Sequence, residues 1–237
     1  MIIESFFGIL VLTKRKEIRM AVITISRELS SLGTEISRQV ANVLGYQYVD
    51  KDIVEAILQQ YGLIEFDKLY QTAPGMWSRL DLMNIQMIQM LNKTMLAFAR
   101  RSNAVVLGRG GFAVFKDFSD VLNVRVQAPF DVRVERTMKK ILFKNKSEAE
   151  DYVREHDHVR QAFIQTYYSK NWDVASNFNL VIDTGIVPME NAVDWIVSAA
   201  RELSKHPIRG KSTGDITVDS VLSRTIEEIL QKTSLAA

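Results

Sequence analysis

Ten residues between a β-branched run and a helical pattern, Ser26-Arg27-Glu28-Leu29-Ser30-Ser31-Leu32-Gly33-Thr34-Glu35, gather hydroxyls, a cation and a glycine. The chemistry that suits them is anion binding. A helix start presents unpaired backbone N–H groups and the positive end of its dipole, so a loop in this place receives phosphate readily. Ser30, Ser31 and Thr34 add hydroxyls, and Arg27 is the nearest cation. The segment does not satisfy G-x-x-x-x-G-K-[ST]; with the strand ends aligned, the lysine position falls at Gly33 and the metal-binding hydroxyl position at Glu35. On spacing alone, an ordinary β-α turn capped by a serine or threonine explains the same residues.

A second group, Gly108-Arg109-Gly110-Gly111, follows the apolar run Ala104-Val105-Val106-Leu107. Arg109 therefore sits at a strand end, on the edge of a parallel sheet that usually binds ligands. The alternative is a surface turn arginine between permissive glycines. Further cations stand at Arg133 and Arg136, and Asp157 with Arg160 lie three apart, on one face of a helical region. A solvated charged helix explains those equally from the residues alone. His156, His158 and His206 are not spaced as a metal set. Tyr167, Tyr168 and Trp172 suit either stacking on a base or the apolar underside of a hinge. Cysteine is absent, which excludes disulfides, thiolate metal sites and cysteine nucleophiles and fits a reducing compartment.

The elements that must carry these groups alternate. Strand patterns fall at 21–25, 46–49, 104–107, 121–126 and 180–184, with helical patterns between them, which predicts an α/β protein with a parallel sheet. A helix is expected from Glu35, stopped by Gly45. Short helices are expected over 51–75, then, after Pro74-Gly75, a methionine-rich helix from about Trp77 to Arg101. Its stripe of Met83, Met87, Met90 and Met95 predicts core or oligomer contact, a homodimer seam included. A helix after Pro129, a charged helical region through about Tyr168 and an amphipathic helix from Met189 to Leu203 follow. Residues 206–237 read as a linker and tail, and residues 1–19 as an extension upstream of the first strand.

The 237 residues allow one α/β domain, and 47% apolar content supplies its core. With 24% charged residues and a formal net charge of +2, the bulk composition points to neither a nucleic-acid partner nor a disordered chain. The apolar run Phe6 to Leu12 is too short for a membrane span, and its flanking charges are in the wrong order for a secretory signal. A soluble, cytoplasmic protein with a small-molecule partner is expected.

The pattern I-T-I-S-R-E-x-x-S-x-G-x-E-I followed by L-G-Y-x-x-x-D resembles the opening of the cytidylate kinase-like family, a non-standard branch of the P-loop nucleoside monophosphate kinases. Members of that branch replace the lysine-containing motif with S-R-[EQ]-x-G-S-x-G. This sequence keeps Ser26, Arg27, Glu28, Ser31 and Gly33 and has Ser30 where glycine is usual. L-G-R-G-G, V-x-V-x-A-P-x-x-x-R-V-E-R, D-x-x-R-x-x-x-x-x-x-Y, N-W-D and N-L-V-I-D-T follow in the family's order, so the resemblance covers residue 20 to about 203.

The resemblance implies a three-layer nucleoside-monophosphate-kinase-like sandwich over 20–205, with a five-stranded parallel sheet, an acceptor-binding helical insert over about 51–101 and a helical lid over about 133–172. It also implies ATP and Mg²⁺ as cofactors and transfer of the γ-phosphate to a nucleoside monophosphate, CMP or dCMP, or to a related small acceptor. On that reading Ser26, Arg27, Ser30, Ser31, Gly33, Thr34 and Glu35 hold ATP, with Arg27 replacing the missing lysine charge. Arg109 and Asp50 meet the acceptor. Arg133, Arg136 and Arg160 approach the transferred group as the lid closes, Asp157 orients Arg160, and Glu35 and Asp50 are the candidate Mg²⁺ carboxylates. The competing readings are a catalytically weak or inactive nucleotide-binding regulatory protein of the same fold, and a structural oligomer built on the methionine-rich helix.

Overall fold

The computed structural model describes residues 21–66, 68–75, 77–101 and 103–235, so the extension expected at 1–19 lies outside them. Strand β1 (Val22–Arg27) is followed by α1 (Gly33–Leu44), β2 (Gln47–Val49), α2 (Lys51–Gln60), α3 (Lys68–Gln71) and α4 (Leu82–Arg100). Then come β3 (Ala104–Leu107), α5 (Gly111–Val114), β4 (Val121–Gln127), α6 (Phe130–Lys140), α7 (Lys146–Tyr168), β5 (Leu180–Asp183), α8 (Met189–Lys205) and α9 (Ser220–Leu235). The strands form one parallel sheet in the order β2-β3-β1-β4-β5. Both faces are covered, so β1, β3 and β4 are buried almost throughout, and the polar residues they carry are bonded inside: Thr24 donates to Asn123 at 2.6 Å and Arg125 to the Trp172 carbonyl at 2.6 Å. Val22, Val106 and Val121 face a core built with α2, α4, α5 and α9. Ile23, Ile25, Val105 and Val124 face α1 and α8. The chain moves to one side of β1 first and to the other side later, so a crevice opens beyond the carboxyl end of β1.

Helix α1 begins at Gly33, two residues before the expected Glu35, because Leu32 takes the cap position in a left-handed conformation, φ 64°. It stops at Gly45 as expected; at φ 66° this residue turns its N–H back to the Ala41 and Asn42 carbonyls. Helix α4 begins at Leu82 rather than Trp77, because the Asp81 carboxylate accepts from the Asn84 N–H and fixes the start there. Met87 and Met95 are buried in the chain's own core, whereas Met83 is half exposed.

The linker and tail expected after residue 206 are corrected by the structure. Asp120 accepts from Ser212 Oγ at 2.8 Å, Thr213 Oγ1 at 2.8 Å and the Thr213 N–H, which pins the segment across the sheet's lower edge. Leu222, Ile226 and Ile229 recur at helical spacing, so α9 lays one apolar stripe against the core beside α2 and α4. Among the described residues, no helix is long and apolar enough to cross a membrane.

Candidate active site at the carboxyl edge of the sheet

The loop after β1 is tightly curled. Ser30 at φ 57° and Leu32 at φ 64° both take left-handed backbone, a conformation that costs a non-glycine residue roughly 1–2 kcal/mol. The surroundings hold it there. The buried Ser31 hydroxyl donates to the carbonyls of Glu28 and Val126, at 3.0 and 3.1 Å, and Ser30 Oγ lies 2.7 Å from Thr137 Oγ1. Ser30 thus adopts the geometry a glycine would take more cheaply and uses its hydroxyl to tether the loop to α6. Among the described residues, the N–H groups of Leu32, Gly33 and Thr34 meet no acceptor, and they open onto a cavity of about 270 Å³ lined by residues 28–35 with Thr137, Lys140, Ile141 and Tyr152.

A second pocket adjoins it at the ends of β1 and β3, where Arg27, Arg109 and Arg160 converge with Ser26, Phe163 and Trp172. Gly108 makes this possible: at φ 71° it lies so close to Arg27 Nη1 that an added Cβ would overlap the guanidinium. Arg109 has φ 56°, and its carbonyl accepts from the Tyr168 hydroxyl at 3.3 Å. Burial, then the charges of Arg160 and Arg109, pull the Arg27 pKa down to about 9 against the opposing pull of Tyr48 and Asp50. Burial lowers Arg160 as well, with Asp157 opposing and Arg109 adding. Arginine stays protonated all the same, so the lowered values reflect burial of the cations first and their mutual repulsion second. An entering anion relieves that repulsion.

Asp157 joins the lid to the loop. Its Oδ1 accepts from the Leu29 N–H at 2.8 Å and from Arg160 Nη1 at 3.2 Å, while Oδ2 accepts from Arg133 Nη1 at 2.5 Å. Arg133 continues to Glu28 at 3.2 Å, Glu28 to Arg125 at 3.2 Å, and Arg125 to Asp173 at 2.9 Å while stacking on Trp172. Alternating charges therefore run from the lid through the core to the segment after α7.

Several expected placements change. Arg27 turns into the arginine pocket, away from the amides of the loop, so it does not stand in for the missing lysine there. Arg133 is buried among Glu28, Asp157 and the Ala128 carbonyl, and Arg136 donates to Thr184 O at 2.7 Å and Thr184 Oγ1 at 3.0 Å; both are struts beneath the lid. Glu35 is engaged by Lys140 at 2.5 Å. Burial raises the Glu35 pKa, but the hydrogen bond and charge of Lys140 outweigh it and hold the carboxyl below its usual range. Asp50 caps α2, accepting from the Asp52 and Ile53 N–H groups at 3.1 and 3.3 Å. No group of three or more His, Cys, Asp or Glu side chains suited to a metal gathers among the described residues. The hydroxyl position is also corrected: lysine and hydroxyl are adjacent in the lysine-containing motif, so with Gly33 at the first the second is Thr34, not Glu35. Sequence reasoning passed over Lys140 and Thr137, although Arg133, Arg136, Thr137 and Lys140 recur at the three- and four-residue spacing of one helix face.

A parallel sheet ordered 2-3-1-4-5, an amide-bearing loop after its central strand and helices over the carboxyl edge define an α/β protein with a nucleoside-monophosphate-kinase-like architecture. The chain belongs to the cytidylate kinase-like family, whose model matches residues 22–186, well over half of its length. It is also similar, at 34% identity over 103 residues, to a uronate isomerase of Corynebacterium glutamicum; the match covers 43% of this chain but only 20% of that relative. Among solved structures, a protein of Eubacterium ventriosum described as uncharacterized superposes with a TM-score of 0.60 at 15% identity, covering 76% of this chain and 98% of that one. A shikimate kinase from Bacteroides thetaiotaomicron gives a TM-score of 0.48 at 12% identity, covering 76% of this chain and 98% of its own. Family membership supports a kinase-type phosphotransferase.

Proposed function

We propose that the chain transfers the γ-phosphate of ATP to the phosphate of a nucleoside monophosphate, CMP or dCMP by family resemblance, or of a related small acceptor. The observation that carries this is the convergence of Arg27, Arg109 and Arg160 on one pocket beside the free amides of the loop. Phosphoryl transfer needs donor and acceptor aligned, charge neutralised and water excluded, with little covalent chemistry from the protein. The acceptor phosphate suits the arginine pocket, and the donor phosphates suit the N–H groups of Leu32, Gly33 and Thr34. An acceptor phosphate oxygen then forms the new bond to the γ-phosphorus while the bond to the ADP oxygen breaks. Arg160, held by Asp157, lies on the lid where it can meet the group in flight. Mg²⁺ fits as an ion carried on phosphate oxygens and water, where it would neutralise charge, with the Thr34 hydroxyl as a protein donor; Glu35 and Asp50 already have partners.

The second reading, a nucleotide-binding regulatory protein, draws on the absent loop lysine and on Ser30 in a glycine-like conformation. A coupled ADP-release assay with Mg²⁺ across the nucleoside monophosphates separates the two. The kinase reading expects ADP release that depends on one acceptor. ATP binding with no release for any acceptor favours the regulatory reading.

A further inference from the structure

We propose that Lys140, on lid helix α6, supplies the cation for the ATP phosphates that the loop itself lacks, and that Glu35 holds this lysine in a latch which the nucleotide displaces. The inference rests on the reading of the loop as the donor site. Gly33 occupies the position of the usual lysine, and Arg27 is committed to the neighbouring pocket. Of the residues lining the loop cavity, Lys140 is the one cation, and it reaches the cavity from across the loop. Its partner Glu35 stands in the first turn of α1, one residue beyond the free amides of Leu32, Gly33 and Thr34. Lys140 Nζ is thus parked beside the helix start where donor phosphates would rest.

The exchange is energetically reasonable. Both side chains are more than a third exposed, 53% for Lys140 and 39% for Glu35, and an ion pair so exposed contributes little. A triphosphate offers more charge and several acceptor oxygens, and the nearby amides bind it at the same time. Without a ligand the lysine neutralises Glu35, which would otherwise repel an incoming phosphate. With a ligand it changes partner by rotating a flexible four-carbon stem. Thr137, one turn back on α6, stays bonded to Ser30, so the helix that carries Lys140 remains seated on the loop.

Calorimetric titration of the full chain with ATP and with AMP tests this, using Lys140→Met, Lys140→Arg and Glu35→Gln beside the parent. Losing a charge-assisted hydrogen bond should weaken ATP binding by about 10- to 100-fold in Lys140→Met. AMP, which lacks the β- and γ-phosphates, should bind that variant as it binds the parent. Lys140→Arg should restore most of the ATP affinity. Glu35→Gln should tighten ATP binding by about two- to fivefold, because the competitor for Lys140 is gone. Parental ATP affinity in Lys140→Met overturns the inference and leaves the kinase reading intact where the parent still releases ADP. A similar weakening in Lys140→Met and Glu35→Gln also overturns it, since the pair would then be only a brace between α1 and α6. A parent that neither binds ATP nor releases ADP overturns both readings.

Discussion

The two halves of the cleft solve their electrostatics in opposite ways. In the loop cavity the cation arrives with its counter-charge: Lys140 is matched by Glu35, and a largely exposed pair can open at small cost. In the arginine pocket Arg27, Arg109 and Arg160 face one another, with Asp157 engaged to Arg160 and Asp50 acting on Arg27 from its cap position. One half is a latch and the other holds three cations that two carboxylates only partly offset. Anion capture should therefore be driven mainly at the arginines, whereas the loop side should set selectivity for a polyphosphate.

The largest effect is expected in Arg160→Ala. If the arginines neutralise a developing charge, turnover should fall on the order of 10³-fold in the ADP-release assay, with the melting temperature and ATP affinity kept. Arg160→Lys should recover only part of the rate, because a point charge cannot reproduce planar, bidentate geometry. Parental turnover in both variants would remove the arginine pocket from the reaction.

Asp157→Ala tests the junction between the two halves. It strips a half-buried carboxylate from Arg133, Arg160 and the Leu29 N–H, so denaturant unfolding should show a loss of about 3–5 kcal/mol. A loss well below that range would mean the loop and lid are seated independently.

Gly108→Ala acts on one pocket alone. Left-handed backbone should cost roughly 1–2 kcal/mol of stability, and the displaced Arg27 guanidinium should raise the acceptor KM about tenfold while leaving ATP affinity unchanged. A fall in stability with an unchanged acceptor KM would take Arg27 out of acceptor binding.

The smallest effect belongs to the latch. Because Lys140 holds the folded Glu35 pKa below its unfolded value, the pair's stabilisation is present above the ordinary glutamate value of about 4.3 and is lost as pH falls through the lower, folded value. Melting curves across that window should show the parent losing slightly more stability on acidification than Lys140→Met does. Parallel curves would place the two side chains apart in solution.

Much of the architecture is written in local patterns. Five short strand-type runs rich in β-branched residues, separated by helical periodicity, yield the parallel sheet, and Gly45, free to turn left-handed, marks the end of α1. The start of α1 is hidden because Leu32, a poor candidate for such backbone, serves as the cap, and tertiary bonds hold it there: Ser31 to Glu28 and Val126, Ser30 to Thr137, and Thr184 to the Ser31 carbonyl. The direction of Arg27 is hidden for a related reason. A residue at a strand's end can turn toward either pocket, and the choice is made by the space left at Gly108, 81 positions away. The last twenty residues read as a short helix in a tail, and the packing of α9 is hidden because its stripe matters only once α2 and α4 supply a surface. Arg133 and Arg160 look alike in sequence, yet tertiary packing makes one a buried strut and leaves the other in the pocket.

Trp172 gives the arginine pocket an optical voice. It lies on the wall of that pocket, 5% exposed and stacked on Arg125 at 4.6 Å, whereas Trp77 and Trp195 are 72% and 49% exposed. Their emission should separate into a blue, iodide-protected component from Trp172 and a red, quenchable one from the other two. Occupation of the pocket by an anion should change the blue component, so the chain carries an intrinsic, label-free reporter of the step in which a ligand enters among its three converging arginines.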